Sequence, residues 1–440
     1  MELQVEKLVY GGDGLARLPA DAQGRGKTVF LPFVVPGEQI DATVVESRPG
    51  FARARLNAVL TPSPDRVGPQ CPYFEKCGGC QYQHIDYTAQ LRFKSEILRE
   101  TLRRTAKLEL DQEIVLHASG PWNYRNRTRV RLQHDPAFAL GYFRSNSHEL
   151  LPVEGCPISS PLINQVFSAV WELGRAGVVP VAVHGMQFFA NHDDTQLLVE
   201  TYIRQETAAK DCESFAAALM SKLSSIAGVV VFSVSPAEDE TRQRAPMTSV
   251  HNESAFVIGA DSLIYHAVGR DYRVSGGSFF QTNRYLIDDL VNTAAGRATG
   301  QTALDLYAGV GLFALALAER FTHVLAVESS PHAYADLQRN APGNVKASRS
   351  TTEAFLAGRT AKMALDFILV DPPRAGLGDK TAAALGRMSA SQVTFVSCDP
   401  ATLSRDLRLL LKSGFRVEQA HLFDLFPQTA HMETVLHLVR

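Results

Sequence analysis

The sequence has no long apolar run and no excess of one charge. No uninterrupted apolar stretch in its 440 residues approaches the roughly 20 residues that a membrane-spanning helix needs. The opening MELQVEKL is acidic and apolar, unlike the basic start of a secretory signal peptide. The formal net charge of −2 excludes a protein that is basic throughout, although phosphate contacts need only a local basic patch. We therefore expect a cytoplasmic protein with no membrane partner.

The sequence also lacks internal repeats and low-complexity segments, so a chain of 440 residues is expected to divide into two or three ordinary domains. Residues 1–62 contain short strand-like runs between glycine and proline turns, which predict a small β-barrel of the oligonucleotide-binding type. Residues 63–270 carry a Pro/Gly-rich loop, a helix near 86–105 and many short strands, which predict a β-rich α+β domain. Residues 271–440 alternate strands with helices and predict a doubly wound α/β sheet.

Cysteine is scarce, and its six copies are unevenly placed. Cys71, Cys77 and Cys80 lie in one loop within ten residues, and Cys156 in VEGCPI is a distant fourth. In a cytosolic chain such residues are more often metal-bound or catalytic than disulfide-bonded. Four thiolates can hold zinc or a 4Fe–4S cluster. The spacing alone does not separate the two, although the five-residue gap is unusual for a zinc ribbon.

The run NYRNRTRVRLQ places an arginine at every second position. On a strand these four side chains share one face: Arg125, Arg127, Arg129 and Arg131. A strand face that meets only solvent usually alternates charge or carries lysine and threonine. Four arginines in register therefore favour an anionic partner.

A glycine loop follows the first strand of the α/β region, in LDLYAGVGLFALALA (304–318). Gly309 and Gly311 allow the main chain to turn tightly into a helix and to approach a cofactor closely. The third glycine of the dinucleotide fingerprint is missing. The next strand ends at Glu328, whose carboxylate can accept hydrogen bonds from both ribose hydroxyls. A compact loop without a pyrophosphate cradle fits S-adenosylmethionine better than NAD.

Polar residues end the later strands as well, where ligands bind in sheets of this type. Asp371 follows an apolar strand, and the two prolines after it fix the loop DPPR. Arg374 stands where methyltransferases acting on amino groups have an aromatic residue. Cys398 ends the following strand, and Glu433 in HMET precedes the last one.

Methylation of uracil at C5 needs this pair of side chains. Uracil C5 is a poor nucleophile, and a thiolate added at C6 turns the ring into an enolate that can attack a methyl group. A base must then remove the C5 proton so that the enzyme is eliminated. Cys398 and Glu433, at neighbouring strand ends, can supply the thiolate and the base.

Four motifs together resemble the RNA uracil-5-methyltransferase family, in its order and spacing and over almost the whole chain: GGSFFQTN, DPPRAGL, SCDPATLSRDL and HMETV. The resemblance implies that Cys398 is the nucleophile and Glu433 the base. It places Phe279 near the flipped base, and Arg374 is assigned to the substrate side. It also implies a set of contacts for S-adenosylmethionine or the target uracil: Gln281, Tyr307, Gly309, Gly311, Glu328 and Asp371.

The resemblance further implies a TRAM-like RNA-binding barrel, a seven-stranded Rossmann-like catalytic domain and a 4Fe–4S cluster on the four clustered cysteines. The barrel and the arginine run at 125–131 together imply a folded RNA substrate, and we predict that the four arginines contact it. The reaction needs no redox step, so we expect the cluster to have a structural or RNA-positioning role. Members with both barrel and cluster often act on 23S rRNA, and others act on the T-loop of tRNA. We favour ribosomal RNA, and we expect a monomer.

Two alternatives stay open. Methyl transfer to a base nitrogen would need no thiol and would leave Cys398 and Glu433 unexplained. An RNA chaperone or binding module with a degenerate catalytic domain is a different class of protein. The intact acids Glu328 and Asp371, with Cys398 and Glu433, argue against it.

Overall fold

The structure is a computed structural model, and it describes residues 1–19, 26–204, 211–234, 254–359 and 363–440. The described strands form three large sheets and one two-stranded hairpin. Among the helices of these ranges, none combines the length and the apolar composition needed to cross a bilayer.

The N-terminal sheet has six described strands, in the order β1-β5-β6-β4-β3-β2. Alternate residues of its strands point inward and form a small core that includes Leu3, Val29 and Ile40. The strands are β1 Glu2–Gln4, β2 Lys7–Leu8, β3 Gly14–Arg17, β4 Thr28–Leu31, β5 Gln39–Ser47 and β6 Phe51–Thr61.

A long helix follows the cysteine loop. Helix α1 (Tyr87–Thr101) begins where the Asp86 carboxylate accepts the main-chain N–H groups of Thr88 and Ala89. It continues as one π-helical turn, Leu102–Ala106, and the chain then forms β7 (Ile114–His117). Both elements lie against the C-terminal sheet, since β7 pairs with β22 (Arg416–Phe423) and the buried face of α1 shares the core of that sheet.

The central sheet has seven described strands, in the order β10-β9-β8-β11-β12-β13-β14. Helices α2 (Pro161–Arg175) and α3 (Asp211–Lys222) cover one face, and the other face packs against the C-terminal region. The strands are β8 Arg127–Gln133, β9 Ala139–Phe143, β10 Leu150–Pro152, β11 Val183–Ala190, β12 Leu197–Ile203, β13 Ile226–Ser233 and β14 Ser254–Gly259. The hairpin β15 (Ser262–Ala267) and β16 (Arg270–Ser275) leads out of this region.

The C-terminal sheet has eight described strands, in the order β19-β18-β17-β20-β21-β23-β22-β7. The first five are parallel, and β23 runs antiparallel between β21 and β22. The strands are β17 Gly300–Leu306, β18 Phe321–Glu328, β19 Val345–Arg349, β20 Phe367–Val370, β21 Gln392–Ser397, β22 Arg416–Phe423 and β23 Glu433–Val439.

Six helices accompany these strands, and the whole is the doubly wound α/β fold that the sequence predicts. They are α4 Ile287–Ala295, α5 Leu312–Leu317, α6 Pro331–Asn340, α7 Thr352–Arg359, α8 Gly378–Gly386 and α9 Pro400–Lys412. Seven of the eight strands belong to the predicted domain, and β7 is added from the predicted central region. The boundaries at 62 and 270 stay predictions. The segment 87–117 lies with the C-terminal sheet rather than the central sheet.

Candidate active site

Strand register brings the proposed nucleophile and base to one edge of the sheet. Strand β21 ends at Ser397, which pairs with Thr434 near the start of the antiparallel strand β23. Cys398 directly follows β21, and Glu433 is the first residue of β23. The register therefore sets the two residues side by side at this edge of the sheet. Asp371 follows β20, the other neighbour of β21, and joins them at the same edge.

Burial and mutual repulsion hold protons in this site. Burial raises the pKa of Glu433, and the charge of Asp371 raises it further, while Arg374 lowers it. Burial also raises the pKa of the Cys398 thiol, with further contributions from Glu433 and Asp371. Burial raises the pKa of Asp371 to about 7. Arg374 is the nearby positive charge that favours the thiolate form of Cys398.

The predicted cofactor loop has the backbone shape that its glycines allow. Tyr307, Gly309 and Gly311 have φ angles of 65°, 56° and 99°, and α5 begins directly after Gly311. A Cβ atom added at Gly309 would meet nothing within 4 Å, so the loop leaves open space there. The Glu328 carboxylate accepts the N–H of Gly309 at 2.8 Å and that of Ser330 at 2.6 Å. These bonds fix the carboxylate at the end of β18.

Asp305 belongs to this loop although it was not among the predicted site residues. Its carboxyl group is fully buried, and neither oxygen has a hydrogen-bond partner in the described structure. Burial raises its pKa, and the charges of Asp371 and Glu328 raise it further. An orphaned buried acid beside a glycine loop is a ready acceptor for a cationic or hydroxyl-bearing ligand. Asp305 lies near the end of an apolar strand, shortly before the two glycines. This position is the sequence signal that could have identified it.

The GGSFFQTN segment runs between the central sheet and the catalytic sheet. The Thr282 carbonyl accepts the N–H of Asn126, and Asn283 donates its side-chain amide to the Leu425 carbonyl at 3.1 Å. Gln281 is buried at 7% exposure, and Phe279 is 39% exposed. Phe279 therefore presents a ring at the surface, as a base-stacking residue requires.

One arginine of the β8 face, Arg127, is buried by other parts of the protein. Arg127 is only 1% exposed; its guanidinium lies over the Phe189 ring at 4.1 Å and donates to the Ser278 carbonyl. This burial corrects the prediction of a direct RNA contact by Arg127, which instead joins the central sheet to the GGSFFQTN segment. The alternation correctly indicated a common face, and the residues that cover it come from distant parts of the chain.

The other three arginines are partly buried. Arg129 lies over the Tyr202 ring at 4.2 Å, and Arg131 lies 5.7 Å from the Phe143 ring centre. Arg125 precedes β8 and lines a cavity with the clustered cysteines. RNA contact by these three side chains stays a prediction.

The four clustered cysteines line one small cavity of about 50 Å³: Cys71, Cys77, Cys80 and Cys156. Burial raises the pKa of the Cys77 thiol to about 11 and that of Cys80 to about 12, and the Cys156 thiol adds to both shifts. The N–H of Gly79 donates to the Cys77 sulfur at 3.4 Å. In the described part of the chain, no three Cys, His, Asp or Glu side chains stand in position to hold a metal ion.

The glycine loop, the acid that ends β18 and the polar strand ends define a methyltransferase that uses S-adenosylmethionine. The tRNA (uracil-5-)-methyltransferase family model matches residues 86–440, and the TRAM domain model matches residues 1–56. The chain belongs to the tRNA (uracil-5-)-methyltransferase family. It is an RNA uracil-5-methyltransferase that carries an N-terminal TRAM domain.

Similar proteins agree with this assignment. An uncharacterised RNA methyltransferase of Aquifex aeolicus is 31% identical and covers 99% of this chain and 97% of its own. The 23S rRNA (uracil(1939)-C(5))-methyltransferase RlmD of Pectobacterium atrosepticum is 31% identical, over 96% of this chain and 90% of its own. The fold matches the Pyrococcus abyssi tRNA (uracil-54, C5)-methyltransferase, crystallised with S-adenosyl-L-homocysteine, at a TM-score of 0.75 with 23% identity and 99% coverage of both chains.

Proposed function

We propose that Cys398 and Glu433 carry out methylation of uracil C5 through a covalent adduct with the RNA. The observation that carries the proposal is the Ser397–Thr434 register, which sets the thiol and the carboxyl group at adjacent strand ends. Methylation of a nitrogen would use neither group. The buried position of Glu433, at 4% exposure, is costly for an acid unless the acid has a task there.

The side chains divide the reaction between them. Arg374 favours the thiolate of Cys398, which forms a C–S bond to uracil C6 and leaves C5 nucleophilic. Bound S-adenosylmethionine supplies the methyl group that C5 takes. The Glu433 carboxylate then removes the C5 proton, the C5–C6 double bond forms again, and the C–S bond breaks to release the Cys398 thiolate.

The cofactor fits the loop between β17 and α5. Glu328, held by the N–H groups of Gly309 and Ser330, is assigned to the ribose hydroxyls. The open space at Gly309 admits the ligand close to the main chain, and Tyr307 flanks the same turn. Gln281 and Asp371 complete the proposed contacts. The orphaned oxygens of Asp305 support the presence of a polar ligand in this loop.

We further propose that the four clustered cysteines hold a 4Fe–4S cluster, with zinc as the alternative. All four residues line one cavity, and a main-chain N–H already donates to the Cys77 sulfur, a type of contact that tunes iron–sulfur centres. Arg125 lines the cavity and places a positive charge beside an anionic centre. The group would supply structural support for the loop.

We propose 23S ribosomal RNA as the substrate, because a relative 31% identical over 96% of this chain is a 23S rRNA methyltransferase by name. A tRNA T-loop uridine is the second candidate, since the family model takes its description from tRNA. Either uridine must leave its stack to reach Cys398.

The test uses 23S rRNA fragments and tRNA transcribed with 5-fluorouridine, mixed with protein and S-adenosylmethionine. Fluorine at C5 cannot leave as a proton, so the adduct should persist through denaturing electrophoresis. We expect it with the wild-type protein and not with Cys398→Ala, and the RNA that is trapped identifies the substrate. On natural RNA, Glu433→Gln should accumulate the same adduct. Methylation of RNA by Cys398→Ala would contradict the mechanism.

A further inference from the structure

The N-terminal domain reaches the active site through one turn. Residues 9–13 connect β2 to β3, closed by the N–H of Val9 donating to the Asp13 carbonyl at 2.9 Å. Gly11 and Gly12 both have φ of 103°. A Cβ atom at Gly12 would lie 2.8 Å from Gln81 and 3.4 Å from Ala430. The turn is therefore wedged between the cysteine loop and the segment that leads to Glu433.

Tyr10, at the tip of this turn, touches the nucleophile loop. Its hydroxyl donates to Oδ2 of Asp399 at 3.0 Å, across 389 positions of sequence. Asp399 directly follows Cys398. Burial and the Asp399 carboxylate raise the pKa of Tyr10, so its hydroxyl stays protonated and remains a donor.

Asp399 is thereby held on two sides. Its Oδ1 accepts the N–H groups of Ala401 at 3.0 Å and Thr402 at 2.9 Å, which caps helix α9. Its Oδ2 accepts from Tyr10 alone among the bonds of the described structure. The helix cap fixes the position of Asp399 along the α9 axis, and the tyrosine restrains it sideways. Cys398 is the residue directly before this carboxylate, so the restraint acts on the main chain next to the nucleophile.

We propose that Tyr10 is a positioning residue for the nucleophile: through Asp399 it holds Cys398 in place for attack on uracil C6. The inference rests on the proposed covalent function. It also makes the alignment of Cys398 depend on the seating of the TRAM domain, which the family assigns to RNA binding. The N-terminal domain thus contacts the nucleophile loop through the hydrogen bond between Tyr10 and Asp399.

The test is Tyr10→Phe, which removes only the hydroxyl and keeps the ring in the wedge. The readouts are the rate of adduct formation on saturating 5-fluorouridine RNA and the Kd for RNA. We expect the adduct rate to fall about tenfold, below the ~100-fold that a 1 Å misplacement can cost. The Kd for RNA should change less than about twofold, because phosphate contacts supply most of the affinity.

Two further variants separate positioning from docking. Lys7 in β2 pairs with Glu100 of α1 at 2.6 Å, and both side chains are partly exposed. Lys7→Gln therefore removes one ion pair of the same domain contact, while the Tyr10 turn and its bond to Asp399 stay in place. It should leave the adduct rate unchanged. Asp399→Ser keeps a helix cap but lacks the second oxygen. It should slow adduct formation, and adding Tyr10→Phe to it should have no further effect.

The outcomes are distinct. If Tyr10→Phe traps RNA at the wild-type rate, or if Lys7→Gln slows trapping equally, Tyr10 only packs the domain contact and the inference is wrong. An additive loss in the Tyr10→Phe, Asp399→Ser double variant would likewise show that Tyr10 does not act through Asp399. If the wild-type protein methylates RNA but traps no adduct, the proposed function fails first and the Tyr10 inference falls with it.

Discussion

Asp371 is an acid whose protonation state changes near physiological pH. Burial raises its pKa from the ordinary 3.8 to about 7. Between these two pH values the folded protein binds a proton that the unfolded chain has lost. The contribution of this bound proton to the free energy of unfolding is therefore fully present below pH 3.8, and it is lost as the pH rises through about 7. An active site that keeps such a buried acid therefore lowers the stability of the folded protein at neutral and higher pH.

Asp371→Asn should remove this pH dependence. The variant should melt at a higher temperature than the wild-type protein at about pH 8, and the difference should shrink towards about pH 4. The measurement is the melting temperature across that range, without S-adenosylmethionine or RNA. Asp379→Asn, an exposed position in the first turn of α8, is the control and should follow the wild-type curve. A constant offset between Asp371→Asn and wild type at every pH would contradict the expectation.

The cysteine loop is an element with two attachments. Its three cysteines line the cavity, and the residues that follow them bind the segment before Glu433. Gln81 and Tyr82 donate their N–H groups to the Gln428 carbonyl at 3.1 and 2.9 Å, and Ala430 donates its N–H to the Gln81 side chain at 3.1 Å. A bound cluster would therefore stiffen the wall of the active site without taking part in the reaction.

Cys80→Ser should remove iron and slow methylation together. Protein purified without oxygen should lose its visible absorption and its bound iron, measured by elemental analysis. Methylation should fall roughly 10- to 100-fold, the range seen when the support of a site is lost. Cys212→Ala is the control, because Cys212 is buried in α3 away from the cavity. Zinc in place of iron, or unchanged iron in Cys80→Ser, would contradict the cluster assignment.

Local signals explain which elements could be predicted from the sequence. The glycine loop at 309–311, the DPPR loop and the strand that ends at Cys398 each carry their turn residues with them, so fold class and family were predicted and are confirmed. Strand β7 and the Tyr10 contact depend on pairings between distant segments, which no local pattern encodes. The arginine alternation indicated a shared face, but the Phe189 ring that covers Arg127 lies on another strand.

At the scale of the whole molecule, the N-terminal domain and the catalytic sheet share one hydrophobic core. Leu8 and Val35 of the N-terminal domain belong to the same buried cluster as Phe93 of α1 and Leu436 of β23. Leu3 instead belongs to the separate core inside the N-terminal sheet. The domain that carries Tyr10 therefore contributes side chains to the core beneath the catalytic sheet.

Leu8→Ala should destabilise the catalytic sheet, while Leu3→Ala should not. Both leucines are buried, at 3% and 4% exposure, so each truncation should cost about 2–5 kcal/mol where it acts. Hydrogen exchange read by mass spectrometry should show faster exchange in β21–β23 for Leu8→Ala. For Leu3→Ala the faster exchange should stay within residues 1–61, because its cavity opens into the smaller core. If both variants speed exchange only within residues 1–61, the shared core does not couple the two sheets. The seating of Tyr10 would then be independent of the stability of the strands that carry Cys398 and Glu433.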